Sequence, residues 1–284
     1  MPFDFKISDV SKIIKQVSKD EILPMFENLS EGDIKEKGPG DLVTVADEAS
    51  EKALSKALSA ILPGSVILGE EAVAKDKNVL KLLDGDAPVW VIDPIDGTYN
   101  FANGRRHFGV LLALVQNNEI LYGWGYDVPG DRMFYAQKGE GAYLEKNGKV
   151  EKISINAAPI VAEMDGLFGG AQPWHFKDVT PLVKSFSSIR CSLHDYIMLL
   201  TNKVDFIMHR NSTPWDHSAV VLLAQEAGGY VRMFNEKEYR PANFFGPSLL
   251  VATSDQKRWD ELKEKIYPVV MEDSFVKVFM EENA

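Results

Sequence analysis

Residue types that can bind both a cation and a phosphate come together in one short segment of the sequence, VWVIDPIDGT. Its apolar run predicts a strand that stops at Asp93, because Pro94 has no N–H group to donate to a β-ladder. A turn there brings Asp93 and Asp96 to the same side, and two close carboxylates repel each other unless a cation lies between them. The N–H groups of Gly97 and Thr98 can hold a phosphate at the start of a helix. The plainer alternative is an ordinary Asp-rich turn, because Asp-Pro and Asp-Gly are common turn dipeptides.

Acidic residues stand in comparable positions elsewhere in the chain. Glu70 and Glu71 come directly after a second apolar run, and Asp216 stands at the start of a predicted helix. Asp47 lies inside another predicted helix, which Thr44 can cap. The Glu pair and Asp216 each have a structural explanation on their own, since exposed Glu pairs are common and an acid in a first helical turn complements the helix dipole. Asp47, inside its helix, needs another purpose or a position that faces solvent. Two strands that each end in acids are the stronger signal, because strand ends present ligands rigidly in α/β proteins.

Hydrophobic spacing predicts the elements that position these residues. Val10, Ile14 and Val17 recur at helical intervals, whereas the runs before Glu70 and Asp93 are short and apolar, which is typical of strands. The predicted elements of the first half are helices over residues 8–29 and 44–62 with a loop over 37–40 between them, strands over 65–69 and 89–93, two strands around a turn at 117–118 within 108–126, and short strands within 132–155.

The second half of the sequence alternates between strands and helices. The predicted strands cover residues 166–168, 204–208, 230–234 and 249–252, with one more starting at 189, and the predicted helices cover 175–186, 193–201, 215–227 and 255–267. This order of elements indicates stacked layers of helix and sheet. No linker or repeat divides the chain, which favours one unit over residues 1–284 with an N-terminal half of about 1–152 and a C-terminal half of about 153–284.

The composition narrows the functional classes. Of the 284 residues, 45% are hydrophobic and 26% charged, which is typical of a globular protein with a sizeable core. The net charge of −11 argues against nucleic acid as the main ligand, because binding a phosphate backbone needs a basic face. The single cysteine, Cys191, excludes an intrachain disulfide and a cysteine-based zinc site. With no apolar leader and no run of about 18 apolar residues, the expected location is the cytoplasm.

Taken together, four segments resemble the motifs of the inositol monophosphatase family. In chain order they are DLVTVAD at residues 41–47, GEE at 69–71, DPIDGT at 93–98, and WDHSA at 215–219 followed by EAGG at 226–229. Their order and spacing are similar to those of the family, and the resemblance runs from about residue 8 to residue 265. It implies an α/β fold built as a five-layer αβαβα sandwich of the inositol monophosphatase and fructose-1,6-bisphosphatase type.

The resemblance also implies a function, a phosphomonoesterase that uses two to three Mg²⁺ ions to cleave a small sugar or polyol phosphate by in-line attack of a metal-activated water. A Thr hydroxyl is a weak base alone, so a hydrogen bond from Thr98 to Asp47 makes chemical sense. By motif, the expected metal ligands are Glu70, Asp93, the Ile95 carbonyl, Asp96 and Asp216, with Asp93 bridging two ions. The expected catalytic groups are Asp47, Thr98 and Glu70, and the expected phosphate-binding amides are those of Gly97 and Thr98. The expected substrate contacts are Asp96, Ser192, His209 and Asp216.

The choice of substrate is less determined. Many family members have a Glu seven residues before the aspartate of the WD motif, and here that position holds His209. A carboxylate accepts hydrogen bonds from two hydroxyl groups, whereas a neutral imidazole offers one donor and one acceptor, which weakens the case for inositol itself. His209 is equally explained as a structural residue at a strand end. Arg105, Arg106 and Arg210 are either surface residues or contacts for a second phosphate.

Other functions within and beyond this reaction class remain open at this point. The enzymatic alternatives are a fructose-1,6-bisphosphatase, a histidinol-phosphatase and a nucleotide 3′-phosphatase of the same superfamily. The alternative from another class is a non-catalytic partner in a transcription-associated complex. The resemblance further implies a homodimer. The lengths of the apolar runs and the net charge predict that the protein binds neither a membrane nor nucleic acid directly.

Overall fold

The computed structural model describes residues 3–38, 41–169, 179–210, 212–243 and 249–272. Its framework consists of a seven-stranded sheet and a five-stranded sheet. A separate antiparallel hairpin of β1 (Ile34–Gly38) and β2 (Asp41–Thr44) precedes them. Helices cover the outer face of each sheet and fill the space between the two. The fold is therefore layered, as the order of elements predicts.

The seven-stranded sheet carries the first two acidic strand ends. Its strands lie side by side in chain order, and only the first two are parallel. They are β3 (Val66–Gly69), β4 (Val89–Asp96), β5 (Gly109–Gln116), β6 (Glu119–Asp127), β7 (Arg132–Gln137), β8 (Gly141–Lys146) and β9 (Lys149–Lys152). β4 and β5 are buried along nearly their whole length, because both faces of the sheet are covered.

Two helices, α1 (Ile7–Val17) and α2 (Val45–Ile61), cover the outer face of this sheet. Side chains of a strand alternate between faces. Trp90 and Ile92 of β4 therefore pack with Leu54 of α2, whereas Val89 and Val91 point into the middle of the molecule. Two short helices, α3 (Glu70–Lys75) and α4 (Thr98–Ala102), begin where β3 and β4 end.

The five-stranded sheet belongs to the second half of the chain. Its strands are β10 (Asp165–Gly169), β11 (Ser185–Ser187), β12 (Phe206–His209), β13 (Tyr230–Met233) and β14 (Leu250–Thr253), in the spatial order β11-β10-β12-β14-β13. β10 is parallel to both of its neighbours, and β14 is antiparallel to both of its own. The helix α7 (Gln256–Glu272) covers the outer face, where Trp259 and Leu262 pack on the sheet.

Two helices between the sheets, α5 (Ser192–Leu200) and α6 (Pro214–Glu226), form the central layer. Residues 217–224 of α6 are all buried. A helix covered on every side cannot keep a polar face, which explains why residues 219–224 of α6 are all apolar. The order of layers from α1 to α7 is helix, sheet, helix, sheet, helix, so the predicted αβαβα sandwich is confirmed.

Some predicted elements are wrong. The helix predicted over 8–29 ends as an α-helix at Val17, and one π-helical turn and looser turns follow. Residues 175–178 of the helix predicted over 175–186 lie outside the described residues. The described remainder contains a 3₁₀ turn with Pro181 and then β11, because Pro181 cannot donate inside a helix and the next residues pair with β10. The strand expected from Ile189 lies earlier, at β11.

The hairpin of β1 and β2 is an element that hydrophobic spacing does not reveal. The sequence of β1, IKEKG, is mostly charged, and the strand is largely exposed or half-buried. β1 has no buried residue and therefore no apolar alternation, although Val43 and Thr44 of β2 are buried. The segment 37–40, predicted as a loop, contains the end of β1, and residues 39 and 40 lie outside the described part of the chain.

Candidate active site

The site begins at a β-bulge in β4. The prediction that the strand stops at Asp93 is wrong, because pairing with β5 resumes at Asp96. Between these positions Pro94 and Ile95 lie opposite the single residue Val110. A bulge leaves a residue unpaired, so the missing N–H of Pro94 costs no ladder hydrogen bond. The bulge re-aims the end of the strand and places both aspartates near its terminus.

Three carboxylates converge at this strand end. Asp93, Asp96 and Asp216 each offer a ligand atom, and these atoms lie within 4.8 Å of one another. Asp216 enters from the first turn of α6, where it accepts a hydrogen bond from the Thr213 hydroxyl. Asp93 is 1% exposed, and its Oδ1 has no hydrogen-bond partner among the described residues. Burial, and then the charges of Glu70, Asp96 and Asp216, raise the pKa of Asp93 well above its usual value.

The start of α5 holds Asp96 in place. Its carboxylate accepts hydrogen bonds from the N–H groups of Ser192 and Leu193, at 3.1 and 2.5 Å. The Cys191 thiol donates a third, at 3.0 Å. Burial and the charge of Asp216 raise the pKa of Asp96, and these hydrogen bonds oppose the rise because they stabilise the ionised form. Ser192, predicted as a substrate contact, thus contacts Asp96 through its backbone.

Glu70 stands outside this group of three and faces a lysine. Lys37 of the unpredicted hairpin places its ammonium nitrogen 2.7 Å from Glu70 and 3.0 Å from Glu71. Burial raises the pKa of Glu70, and the Asp216 charge adds to the rise, whereas Lys37 opposes it. Burial lowers the pKa of Lys37, but Glu70 and Glu71 outweigh it and the net shift is upward. Lys37 is therefore a cation at the edge of an acidic site.

A hydrogen bond between α2 and α3 fixes the backbone next to Glu70. The carboxylate of Glu51 accepts from the N–H groups of Glu71 and Ala72, at 2.8 and 3.0 Å, and so caps the start of α3. A Cβ atom on Gly69 would lie 2.2 Å from the Glu51 carboxyl group. Gly69 therefore leaves the space that this cap occupies. Sequence reasoning did not single out Glu51, because an acid within a helix gives no sign of a distant partner.

Asp47 and Thr98 meet across the two segments that carry them. Asp47 Oδ2 closes a capping box with the backbone N–H and hydroxyl of Thr44, at 2.8 and 2.5 Å. Its other oxygen, Oδ1, lies 3.1 Å from the Thr98 hydroxyl, which is also 2.9 Å from the Ile95 carbonyl oxygen. Burial raises the pKa of Asp47 to about 7, against the hydrogen bonds from Thr44. Asp47 thus both caps α2 and contacts Thr98.

Gly97 makes the connection from β4 to α4 possible. Its φ of +87° lies in the left-handed region, and an added Cβ would meet the His107 carbonyl oxygen at 2.7 Å. Both the conformation and the close approach therefore require glycine. The N–H groups at the start of α4 follow directly, next to the three carboxylates.

A pocket of about 200 Å³ opens beside these residues, lined by Asp41, Leu42, Asp96, Gly97, Thr98, Tyr99, Gly169, Arg190, Cys191 and Ser192. His209 does not line it in the described part of the chain. It is 3% exposed and lies behind Gly169, where a Cβ would come within 1.8 Å of its Nδ1 atom. Arg105, Arg106 and Arg210 do not line the pocket either, and Arg106 donates to the Pro129 carbonyl instead. Arg190 lines the pocket, although the sequence pattern gave no reason to expect it there.

The donor set fits a hard divalent cation. Carboxylate and carbonyl oxygens are the ligands that Mg²⁺ prefers. Buried carboxylates this close repel one another, and the unpartnered Oδ1 of Asp93 lacks the hydrogen bond that a buried polar atom normally has. A bound cation would reduce this repulsion and would give the Oδ1 atom of Asp93 a partner. The chemistry of the site therefore matches a metal-assisted reaction.

Comparison with known proteins identifies relatives. The model of the inositol monophosphatase family matches residues 7–272. The chain is 28% identical over 240 residues to an inositol-1-monophosphatase of Caulobacter vibrioides, over 81% of this chain and 90% of the relative. It is 30% identical over 241 residues to a fructose-1,6-bisphosphatase/inositol-1-monophosphatase of Thermotoga maritima, over 84% and 87%. The solved structure of a Thermotoga maritima IMPase is similar with a TM-score of 0.78 at 25% identity, over 93% of this chain and 98% of that one.

These comparisons agree with the geometry. The matched region contains every acid-bearing segment from β2 to α6, and the solved relative shares the layered fold. The family is metal-dependent, and the three converging carboxylates are ligands of the right kind. The chain therefore belongs to the inositol monophosphatase family and is a phosphoric monoester hydrolase.

Proposed function

We propose that this protein is a Mg²⁺-dependent phosphatase that hydrolyses the monophosphate ester of a small sugar or polyol. The observation that carries the proposal is the convergence of Asp93, Asp96 and Asp216 beside the contact between Thr98 and Asp47. The first set offers cation ligands, and the second offers a hydroxyl group and a carboxyl group for handling a proton. Both lie at the start of α4, whose N–H groups can receive a phosphate.

Two to three Mg²⁺ ions would be held by the residues of the acidic segments, namely Glu70, Asp93, the Ile95 carbonyl, Asp96 and Asp216. Asp93 has acidic neighbours on both sides, since the charges of Glu70, Asp96 and Asp216 all raise its pKa and it offers a ligand atom within 4.8 Å of those of Asp96 and Asp216. That position supports its role as the bridging ligand. When bound, Mg²⁺ supplies Lewis-acid activation of water and neutralises charge on the phosphate oxygens.

Asp47 and Thr98 orient the attacking water and accept its proton. The Thr98 hydroxyl has one hydrogen and two acceptors within reach, Asp47 Oδ1 and the Ile95 carbonyl, so it can donate to either while its lone pair faces the water. A carboxyl group with a pKa of about 7 is well matched to proton transfer near neutral pH. The N–H groups of Gly97 and Thr98 bind the phosphate, and Glu70 is the third catalytic group of the proposal.

Substrate contacts complete the proposal. Asp96, Ser192 and Asp216 lie at or next to the pocket and can bind hydroxyl groups of the sugar or polyol. His209 stays in this proposal as a contact that depends on movement of the segment around Gly169, since the imidazole is buried behind that residue. This arrangement gives the substrate mostly hydrogen-bond acceptors, which suits a polyol.

We also propose that the enzyme is a cytoplasmic homodimer that binds neither membranes nor nucleic acid directly. The family supports the dimer, and the net charge of −11 is unfavourable for nucleic acid. Across the described ranges, no helix combines the length and apolarity needed to cross a bilayer. Light scattering on the purified protein tests the dimer directly.

The test of the reaction is phosphate release from a substrate panel, with and without Mg²⁺. The panel contains inositol 1-phosphate, glycerol 2-phosphate, fructose 1,6-bisphosphate, histidinol phosphate and adenosine 3′,5′-bisphosphate, so that it covers the alternative activities. We expect Mg²⁺-dependent release from at least one sugar or polyol phosphate. Silence on the whole panel, with Mg²⁺ binding confirmed by calorimetry, would contradict the proposal and favour a non-catalytic partner role.

A further inference from the structure

The pocket beside the carboxylate cluster has one positively charged side chain among its described lining residues, that of Arg190. The loop at Gly97-Thr98 lines the same pocket, as does Tyr99. The remaining charged residues of the lining, Asp41 and Asp96, are acids. In a protein with a net charge of −11, a lone arginine in an acidic pocket is a feature that requires an explanation.

The guanidinium of Arg190 lies over an aromatic ring. Its central carbon lies 3.7 Å from the centroid of the Tyr99 ring. Stacking occupies the face of a guanidinium and leaves its N–H donors free in the plane, where they match a carboxylate or phosphate in pairs. Within the described part of the chain, no carboxylate forms an ion pair with Arg190. Among the described residues, the N–H donors of Arg190 therefore have no carboxylate partner, and the side chain lines the pocket.

The backbone of Arg190 is fixed as firmly as its side chain. Arg190 has a φ of +62°, a conformation that a non-glycine residue keeps only when its surroundings hold it. The buried side chain of Asn100 provides that hold by donating to the carbonyl oxygens of Ile189 and Arg190, at 3.0 and 3.2 Å. Since Asn100 and Tyr99 both belong to α4, the helix that begins the proposed phosphate site also positions Arg190.

We propose that Arg190 recognises a second anionic group on the substrate, located on the part of the molecule that is released as the alcohol. The reacting phosphate already has its own binding groups, the amides at Gly97-Thr98 and the carboxylate-bound cations of the proposed function, on which this inference rests. Arg190 comes from a different segment, directly before α5. The preferred substrates are therefore sugar or polyol monophosphates that also carry a carboxylate or a second phosphate.

The test compares kcat/KM for substrates that differ in one group. Glycerol 2-phosphate and 2-phosphoglycerate share a carbon skeleton, and only the second has a carboxylate. Fructose 1-phosphate and fructose 1,6-bisphosphate form a second, longer pair. We expect Arg190→Gln to lower kcat/KM for the anionic member of at least one pair by about tenfold to a hundredfold and to leave the neutral member within about twofold. Arg190→Lys should fall between, because it keeps the charge without the planar fork.

Arg105 provides the matched control. Its guanidinium carbon lies 5.5 Å from the same Tyr99 ring, but it does not line the described pocket. Arg105→Gln should leave the ratio of kcat/KM values within each pair unchanged. If Arg190→Gln lowered kcat/KM equally for both members of a pair, Arg190 would act on the reacting phosphate or on the fold. If it lowered kcat/KM for no substrate, Arg190 would have no part in recognition. Either result overturns the inference. Wild-type turnover of glycerol 2-phosphate or fructose 1-phosphate tests the proposed function separately.

Discussion

The imidazole nitrogen Nε2 of His209 lies 3.6 Å from a carboxylate oxygen of Asp195, and both side chains are almost completely buried. Burial lowers the pKa of His209 well below its usual value, with the nearby His217 adding to the shift. Burial raises the pKa of Asp195, with the charge of Asp96 adding to it. Both shifts favour the uncharged forms, and 3.6 Å is too long for a hydrogen bond. We therefore expect the two groups to face each other as uncharged partners rather than as an ion pair.

Replacing Asp195 with Asn should therefore have little effect on stability. An amide has nearly the shape of a protonated carboxyl group, so we expect the free energy of unfolding near pH 7 to change by about 1 kcal/mol or less. A buried ion pair that loses one partner would instead cost about 3–5 kcal/mol. Urea unfolding of the two proteins measures the difference. A loss in the larger range would show that Asp195 and His209 are charged.

Asp93 should be indispensable for turnover but not for folding. Asp93→Asn removes the charge that the proposed mechanism shares between two cations, and we expect kcat to fall more than about a hundredfold, beyond the effect of losing a residue that only orients a ligand. The metal-free variant should unfold at a higher temperature than the wild type, because one of several repelling buried carboxylates is gone. The exposed Asp260 of α7 gives a control, and Asp260→Asn should change neither quantity. Near-normal turnover in Asp93→Asn would remove Asp93 from the mechanism.

Removing the Thr98 hydroxyl should lower the catalytic rate without changing the shape of the site. Thr98→Val keeps the side-chain volume and loses the group that contacts Asp47 and the Ile95 carbonyl. We expect kcat to fall by about a hundredfold or more with little change in KM, as for the loss of a group that handles a proton. Thr98→Ser, which keeps the hydroxyl, should retain most of the activity. Equal activity in Thr98→Val and Thr98→Ser would show that the hydroxyl has no part in the reaction.

The loss of stability with rising pH should become smaller when Mg²⁺ is added. Burial raises the pKa of Asp47 to about 7 and raises that of Asp93 well above normal. A carboxyl group whose pKa rises on folding stabilises the fold below its unfolded pKa of about 4, and this stabilisation is lost as the pH rises through the folded pKa. The metal-free protein should therefore lose stability between about pH 4 and pH 7 as Asp47 ionises, and the raised pKa of Asp93 should add to this loss.

Mg²⁺ should oppose that loss, because it competes with protons for the same oxygens. The rise in melting temperature caused by Mg²⁺ should therefore grow with pH over the same window. Calorimetric scans with Mg²⁺ and with a chelator, at several pH values, measure both trends. Asp93→Asn should show a shallower fall than the wild type in the chelator series. A Mg²⁺ effect that is largest at acid pH would be incompatible with this account.

Much of the fold could be predicted because its buried elements have strong hydrophobic patterns. The predicted helix over 44–62 and the predicted strand over 230–234 match α2 and β13 within one residue. The errors occur where long-range contacts decide the local structure. Pairing with β5 continues β4 past Pro94, and pairing with β10 makes a strand of Ser185–Ser187, where a helix was predicted. No property of these short segments alone reveals a partner strand.

Part of the site could also be predicted, namely its acidic residues. The acids of the motifs stand at strand ends and helix starts, where the sequence pattern placed them, and the fold brings Asp93, Asp96 and Asp216 together. The positions of Lys37 and Arg190 at the site could not be predicted, because a basic residue in a polar segment has no distinctive sequence pattern. Their importance comes from partners elsewhere, Glu70 for Lys37 and Tyr99 for Arg190. A signal for Arg190 existed, since it lies two residues before Ser192, which is predicted as a substrate contact.

The cap that Glu51 forms on α3 has a mechanical consequence. Asp47 and Glu51 are one helical turn apart on α2, so that the first contacts Thr98 while the second holds the backbone beside Glu70. A small rotation or translation of α2 would therefore move the proposed proton acceptor and a proposed metal ligand in concert and preserve their spacing. An alanine at Gly69 would push the Glu51 carboxyl group away, and Glu70 would then move independently of Asp47.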